Sequence, residues 1–77
     1  MMHYIYLLRL ANGDIYCGRS DNLKRRIIEH AKGKVDATKH FLPALLIYYE
    51  AFREKRDSIR REIYLKTTKG KRMIKLM

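Results

Sequence analysis

Cysteine is almost missing from this chain. Cys17 stands alone, so no intrachain disulfide forms and no zinc site built on paired thiolates is available. A disulfide-stapled secreted scaffold is thereby excluded, and the composition suits a reducing compartment, which makes the cytoplasm the expected location. Long hydrophobic runs are also missing. The longest apolar stretch, 41–49, contains Pro43 and falls far short of the ~18 residues needed to cross a bilayer. The run from Tyr4 to Leu8 lacks a basic lead and stops at Arg9, so neither a signal peptide nor a membrane partner is expected. Repeats and low-complexity linkers are absent too. With 77 residues, about half the usual domain size, residues 1–77 are expected to form a single domain. The 47% hydrophobic and 34% charged fractions fit a folded domain rather than a disordered tail.

Acidic residues are the last scarcity. Eight Asp and Glu face 18 Lys and Arg, leaving a net charge of +10. A polyanion is the partner that such an excess favours, nucleic acid above all, because each neutralised phosphate releases counterions. The charge is also segregated. Residues 1–18 are neutral overall and 35–52 carry a net −1, whereas 19–34 carry +4 and 53–77 carry +7. Two basic blocks in an otherwise neutral chain point to a binding face rather than to general solubility.

The pattern predicts an α+β fold, a small three-stranded antiparallel sheet flanked by helices in the order ββαβα(α). Residues 3–10 are aromatic and branched and read as a strand. Asn12-Gly13 signals a two-residue hairpin turn, and 14–18 return as the second strand. Ser20 or Asp21 caps a helix in which Leu23, Ile27 and Ala31 form one apolar stripe, ending near Gly33. Residues 34–42 read as a loop, and 43–50 as a third strand with Pro43 at its start. A helix is expected over 54–67, with Ile59 and Ile63 one turn apart. The basic tail suggests a short final helix packing through Met73, Leu76 and Met77.

These elements gather a set of chemically capable side chains. Tyr4 and Tyr6 share a strand face, and the hairpin returns Tyr16 beside them. Arg26 and His30 stand one turn apart on the first helix, and Glu62 lies three residues after Ile59 on the second. The chain resembles the GIY-YIG nuclease superfamily, most closely its small stand-alone members. The Gly-Ile-Tyr motif appears as Tyr4-Ile5-Tyr6 and the Tyr-Ile-Gly motif as Tyr16-Cys17-Gly18, the second tyrosine ten positions after the first. The family arginine lands on Arg26, ten positions past Tyr16, and the metal-binding glutamate on Glu62. The resemblance covers almost the whole chain and departs from the motifs at Tyr4 and Cys17.

It implies metal-dependent hydrolysis of phosphodiester bonds, DNA ahead of RNA, possible in a repair or recombination setting. Tyr6, Tyr16, Arg26, His30 and Glu62 are the implied catalytic set, with one Mg²⁺ or Mn²⁺ ion on Glu62. Tyr6 is assigned as general base and Tyr16 as its orienting partner, the reverse remaining open. Arg26 would hold developing negative charge, and His30 would hydrogen-bond a tyrosine or the phosphate. Lys24, Arg25, Arg60, Arg61 and Lys66 are the candidate nucleic-acid contacts, and a protein partner supplying specificity is compatible with the small size. The alternative is a non-catalytic nucleic-acid-binding module or a subunit of a larger nuclease complex. Plainer roles exist for individual residues. Glu62 can pair with Lys66 one turn on, Tyr48, Tyr49 and Cys17 can simply pack, and His3 and His40 need no role. Gly18 reads as a position of close approach or positive φ.

Overall fold

The computed structural model describes residues 1–76, and at 68, 73, 75 and 76 the backbone alone. Strand β1 (His3–Arg9) lies in the middle of the sheet, flanked by β2 (Ile15–Ser20) and β3 (Leu45–Phe52), both antiparallel to it. Helix α1 (Leu23–Ala31) covers one face, while α2 (Lys55–Leu65) and α3 (Thr68–Leu76) lie toward the other. The expected α+β architecture and element order are therefore present.

The central strand is buried on both faces, which explains its continuous run of apolar and aromatic residues. Ile5 and Leu7 join Cys17 and Leu65 in one cluster, with Tyr48, Phe52 and Ile74 packed around it. Tyr6, Leu8 and Leu10 form the second, against Tyr16, Leu23, Ile27 and Ala44. The alternation of β1 thus assigns Tyr6 to the α1 face and its neighbours Ile5 and Leu7 to the α2 face. A register shift between Leu7 and Leu8 inserts one extra residue into β3.

Several local expectations are corrected. The β1–β2 connection is longer than a two-residue turn: only Gly13 has positive φ (88°), and Asn12 Oδ1 instead accepts from Asp14 N at 3.1 Å. Helix α1 is capped by Asn22, whose Oδ1 accepts from Arg25 N at 3.1 Å, while Ser20 Oγ accepts from Asn22 N one step earlier. Ala31 is exposed, because the α1 surface facing the sheet runs through Leu23, Ile27 and His30. On α2, Ile63 is 61% exposed and the inward positions are Ser58 and Leu65. The third strand starts two residues later than the pattern suggested, and α2 is shorter at both ends. Tyr48 packs as expected, but Tyr49 is 53% exposed. The expected packing of Met73, Leu76 and Met77 lies outside the described residues.

Leu7 is 1% exposed at the centre of the α2-side cluster, so Leu7→Ala should cost about 3 kcal/mol of unfolding free energy. Leu45, on the same sheet and 56% exposed, should tolerate alanine within ~0.5 kcal/mol. Chemical denaturation of both variants checks the contrast, and equal losses would contradict the assigned core.

Candidate active site

Tyr6 owes its place to strand alternation and His30 to the inward face of α1. Together they bring two polar groups into an apolar layer, where each must find a partner. Tyr6 Oη and His30 Nε2 share a hydrogen bond of 2.8 Å, and His30 Nδ1 shares another of 2.7 Å with Thr38 Oγ1. All three side chains are fully buried. A neutral imidazole carries one donor and one acceptor nitrogen, and both partners are hydroxyls that play either part, so one ring proton satisfies the chain. Burial and the nearby Arg26 charge hold the His30 pKa below its usual 6.5 and keep the ring neutral.

Tyr16 completes the aromatic group. Its ring centroid lies 5.3 Å from that of His30 and 6.3 Å from that of Tyr6, and His30 meets both tyrosines edge-on. Gly18 makes this packing feasible. It opposes Tyr6 across the β1–β2 ladder, and a Cβ there would collide with Tyr6 Cζ and Oη and sit 2.9 Å from Tyr16 Cε2. Close approach is what Gly18 supplies, since its φ is not positive.

The two tyrosines differ in environment. Desolvation pushes the Tyr6 pKa up to about 12, outweighing the Arg26 guanidinium beside its oxygen. Tyr16 is only half-buried, and borders a cleft it shares with Lys66 and Lys71. Arg26 is held by Glu29, whose Oε1 accepts from Nη1 at 3.1 Å. It opens into a polar cleft of about 310 Å³ lined also by His3, Arg19, Ser20, Asp21, Arg25, Glu29 and Lys55. Basic groups outnumber the two acids there, and the cleft lies where β2 ends and where α1 and α2 begin.

Glu62 stands on the other face of the sheet from Tyr6, Arg26 and His30. It lies on the Cys17 side of β2, with Oε1 3.6 Å from Arg19 Nε and Oε2 3.5 Å from Lys66 Nζ. The predicted set is thus split across β2, an edge strand, and Arg19 connects the halves by lining the Arg26 cleft and facing Glu62. Arg19 Nε is buried yet has no hydrogen-bond acceptor among the described residues. Glu62 offers a hard oxygen donor, and among the described residues no group of three His, Cys, Asp or Glu gathers to close a coordination shell. That donor set fits a Mg²⁺-like ion that keeps several waters and completes its shell with phosphate oxygens.

The predicted nucleic-acid contacts separate. Lys24, Arg25 and Arg60 are exposed, and Lys66 projects its amine onto Glu62. Arg61 is committed to the fold: Nε donates to Glu50 Oε1 at 2.8 Å and Nη2 to Oε2 at 3.3 Å, while its guanidinium lies 5.5 Å from the Tyr64 ring centre. Tyr48 Oη also donates to Glu50, at 2.6 Å, and these donors hold the Glu50 carboxyl below its ordinary pKa despite burial. Sequence reasoning missed Thr38 and Arg19. Thr38 lies in a stretch read as loop, with no local signal, whereas Arg19 sits two residues past Cys17 and so shares its strand face.

Because His30 binds a proton less readily folded than unfolded, its contribution to stability is present above pH 6.5 and is lost as pH falls below that value. The denaturation midpoint should therefore drop between pH 7.5 and pH 5, and His30→Gln should show a smaller drop. Equal drops would assign the acid sensitivity elsewhere.

Comparison with known proteins agrees with the fold. A UPF0213 protein of Staphylococcus saprophyticus is 34% identical over 76 residues, covering 97% of this chain and 93% of that protein. A UPF0213 protein of Pseudomonas aeruginosa is 44% identical over 63 residues, covering 80% of this chain and 61% of its own. The solution NMR structure of a UPF0213 protein from Bacillus halodurans matches with a TM-score of 0.62 at 32% identity, over 96% of this chain and 82% of that one. A family model described as the GIY-YIG catalytic domain matches residues 2–75, and this chain belongs to that family.

Proposed function

We propose that the protein hydrolyses phosphodiester bonds in nucleic acid, DNA ahead of RNA, in a metal-dependent reaction. The observation that carries this is the cluster of Tyr6, Tyr16 and His30, with the Arg26 guanidinium beside the Tyr6 oxygen and opening into a basic cleft at the edge of the sheet. A phosphodiester entering the cleft meets Arg19, Arg25, Arg26 and Lys55. Arg26, permanently charged and braced by Glu29, offsets the negative charge that grows on the phosphoryl oxygens as water attacks.

The proton of that water needs an acceptor. Tyr6 is a poor one, being fully buried, bonded to His30 and pushed up to about 12. The roles assigned from the sequence are therefore better reversed, with Tyr16 as general base and Tyr6 as the group that orients it. The water oxygen forms the new bond to phosphorus, its proton passes to Tyr16, and the bond to the 3′-oxygen breaks. When bound at Glu62, Mg²⁺ or Mn²⁺ supplies positive charge against the departing oxygen.

One observation favours the alternative, a binding module or a subunit of a larger nuclease complex. Glu62 is already held between Arg19 and Lys66, an arrangement that needs no metal.

Labelled single-stranded, duplex, flapped, branched and RNA substrates, incubated with Mg²⁺, Mn²⁺ or EDTA, distinguish the two. The expected result is metal-dependent cleavage that Arg26→Ala and Glu62→Gln each reduce at least about a hundredfold while binding persists. Binding without cleavage in every arm would favour the alternative. The tyrosine roles separate in a parallel series: Tyr16→Phe should lower kcat by ~10²–10⁴ with stability intact, the usual size of a lost general base. Tyr6→Phe should lower stability as well as kcat, because it leaves a His30 nitrogen without its partner.

A further inference from the structure

Tyr4 occupies the position where the motif has glycine, and the site described above makes no use of it. The sheet surface around it is distinctive. Tyr49, on β3, is the cross-strand partner of Tyr6, and Tyr4 lies two residues before Tyr6 on the same face of β1, about 6.7 Å along the strand. The Tyr4 and Tyr49 rings meet edge-on, with centroids 6.3 Å apart and planes at 62°. Tyr49 nevertheless remains 53% exposed. The two rings wall a cleft of about 340 Å³ whose other sides are Asp21, Asn22, Leu23 and Lys24.

We infer that this cleft is a stacking subsite for one unpaired nucleobase of the substrate, adjoining the phosphodiester-cleaving site; the inference rests on the proposed function. An exposed aromatic face supplies the sequence-tolerant stack that single-stranded nucleic acids use. Lys24 at the rim supplies a cation for the neighbouring phosphate. Asn22 and Asp21 place polar groups at the same rim, within the cleft that a base edge would enter. A lone exposed tyrosine would mean little on a protein surface. Here a ring held edge-on by Tyr4, a base-sized cleft and a lysine coincide next to Tyr6. A paired base has its faces covered by its neighbours in the stack, so the subsite selects a substrate with an unpaired or extruded nucleotide beside the cleaved bond.

The test is binding in EDTA, which separates it from catalysis. Fluorescent single-stranded DNA and RNA oligonucleotides and the corresponding duplexes are titrated with wild type, Tyr49→Ala and Tyr49→Trp. Tyr49→Ala should weaken single-strand binding about tenfold, the size of one base–aromatic stack, and change duplex binding less than twofold. Tyr49→Trp should restore it, and since the chain has no tryptophan of its own, quenching of this single indole reports the stack directly. An abasic site walked along the strand should cost wild type the same tenfold at one position and cost Tyr49→Ala nothing more. If Tyr49→Ala binds single strands as tightly as wild type, or loses single-strand and duplex affinity equally, the subsite is wrong while the proposed function stands. If wild type binds no nucleic acid at all, the proposed function fails and the subsite with it.

Discussion

The hydrogen bond between Tyr6 and His30 is the interaction on which the rest of this small structure depends. It puts two polar side chains into the layer between β1 and α1, and a buried polar pair of this kind is stable only in one geometry. Thr38 closes the chain from a segment without regular secondary structure, and thereby ties residues 34–42 to the helix that precedes them. Gly18 must stay bare for Tyr6 to lie where it does, and Tyr16 packs against the resulting edge. Fold and proposed site are thus one arrangement: the groups proposed to carry the chemistry are also those that fix how α1 lies on the sheet.

Electrostatics organises the charged side chains on both faces of the sheet. A chain of net charge +10 keeps few acids, and four of the eight pair with particular bases among the described residues. Glu29 braces Arg26, Glu50 holds Arg61 in a two-point ion pair, and Glu62 lies between Arg19 and Lys66. These partly exposed pairs add little stability individually. Their effect is positional: Arg61 is withdrawn from the surface, while Arg19 and Arg26 are aimed into one cleft from two elements. In the proposed function a phosphate would therefore meet guanidinium groups already oriented, which lowers the ordering cost of binding.

Much of this was legible in the sequence, for identifiable reasons. Strand alternation alone placed Tyr4 and Tyr6 on one face, and the ten-residue spacings brought Tyr16 and Arg26 to them through a hairpin and one helical turn. What the sequence hid was set by tertiary contacts. The periodicity of α1 is equally consistent with Ala31 or His30 facing inward, and the buried hydroxyls of Tyr6 and Thr38 decide for His30. The same holds for Arg61, indistinguishable in sequence from its neighbour Arg60 until Glu50, eleven residues earlier, captures it. Tyr49 inverted its expectation because β3 is an edge strand, which no pattern within 43–50 reveals.

In the proposed reaction the buried Tyr6–His30–Thr38 chain holds the catalytic geometry, and Thr38→Val tests this most directly. Valine keeps the shape of threonine and removes only the hydroxyl that His30 Nδ1 contacts, and Thr38 does not line the basic cleft. Cleavage of the preferred substrate should show kcat reduced about tenfold with KM unchanged, the signature of lost positioning rather than lost binding. A folded Thr38→Val variant with wild-type kcat would contradict the claim and reduce the chain to a packing feature.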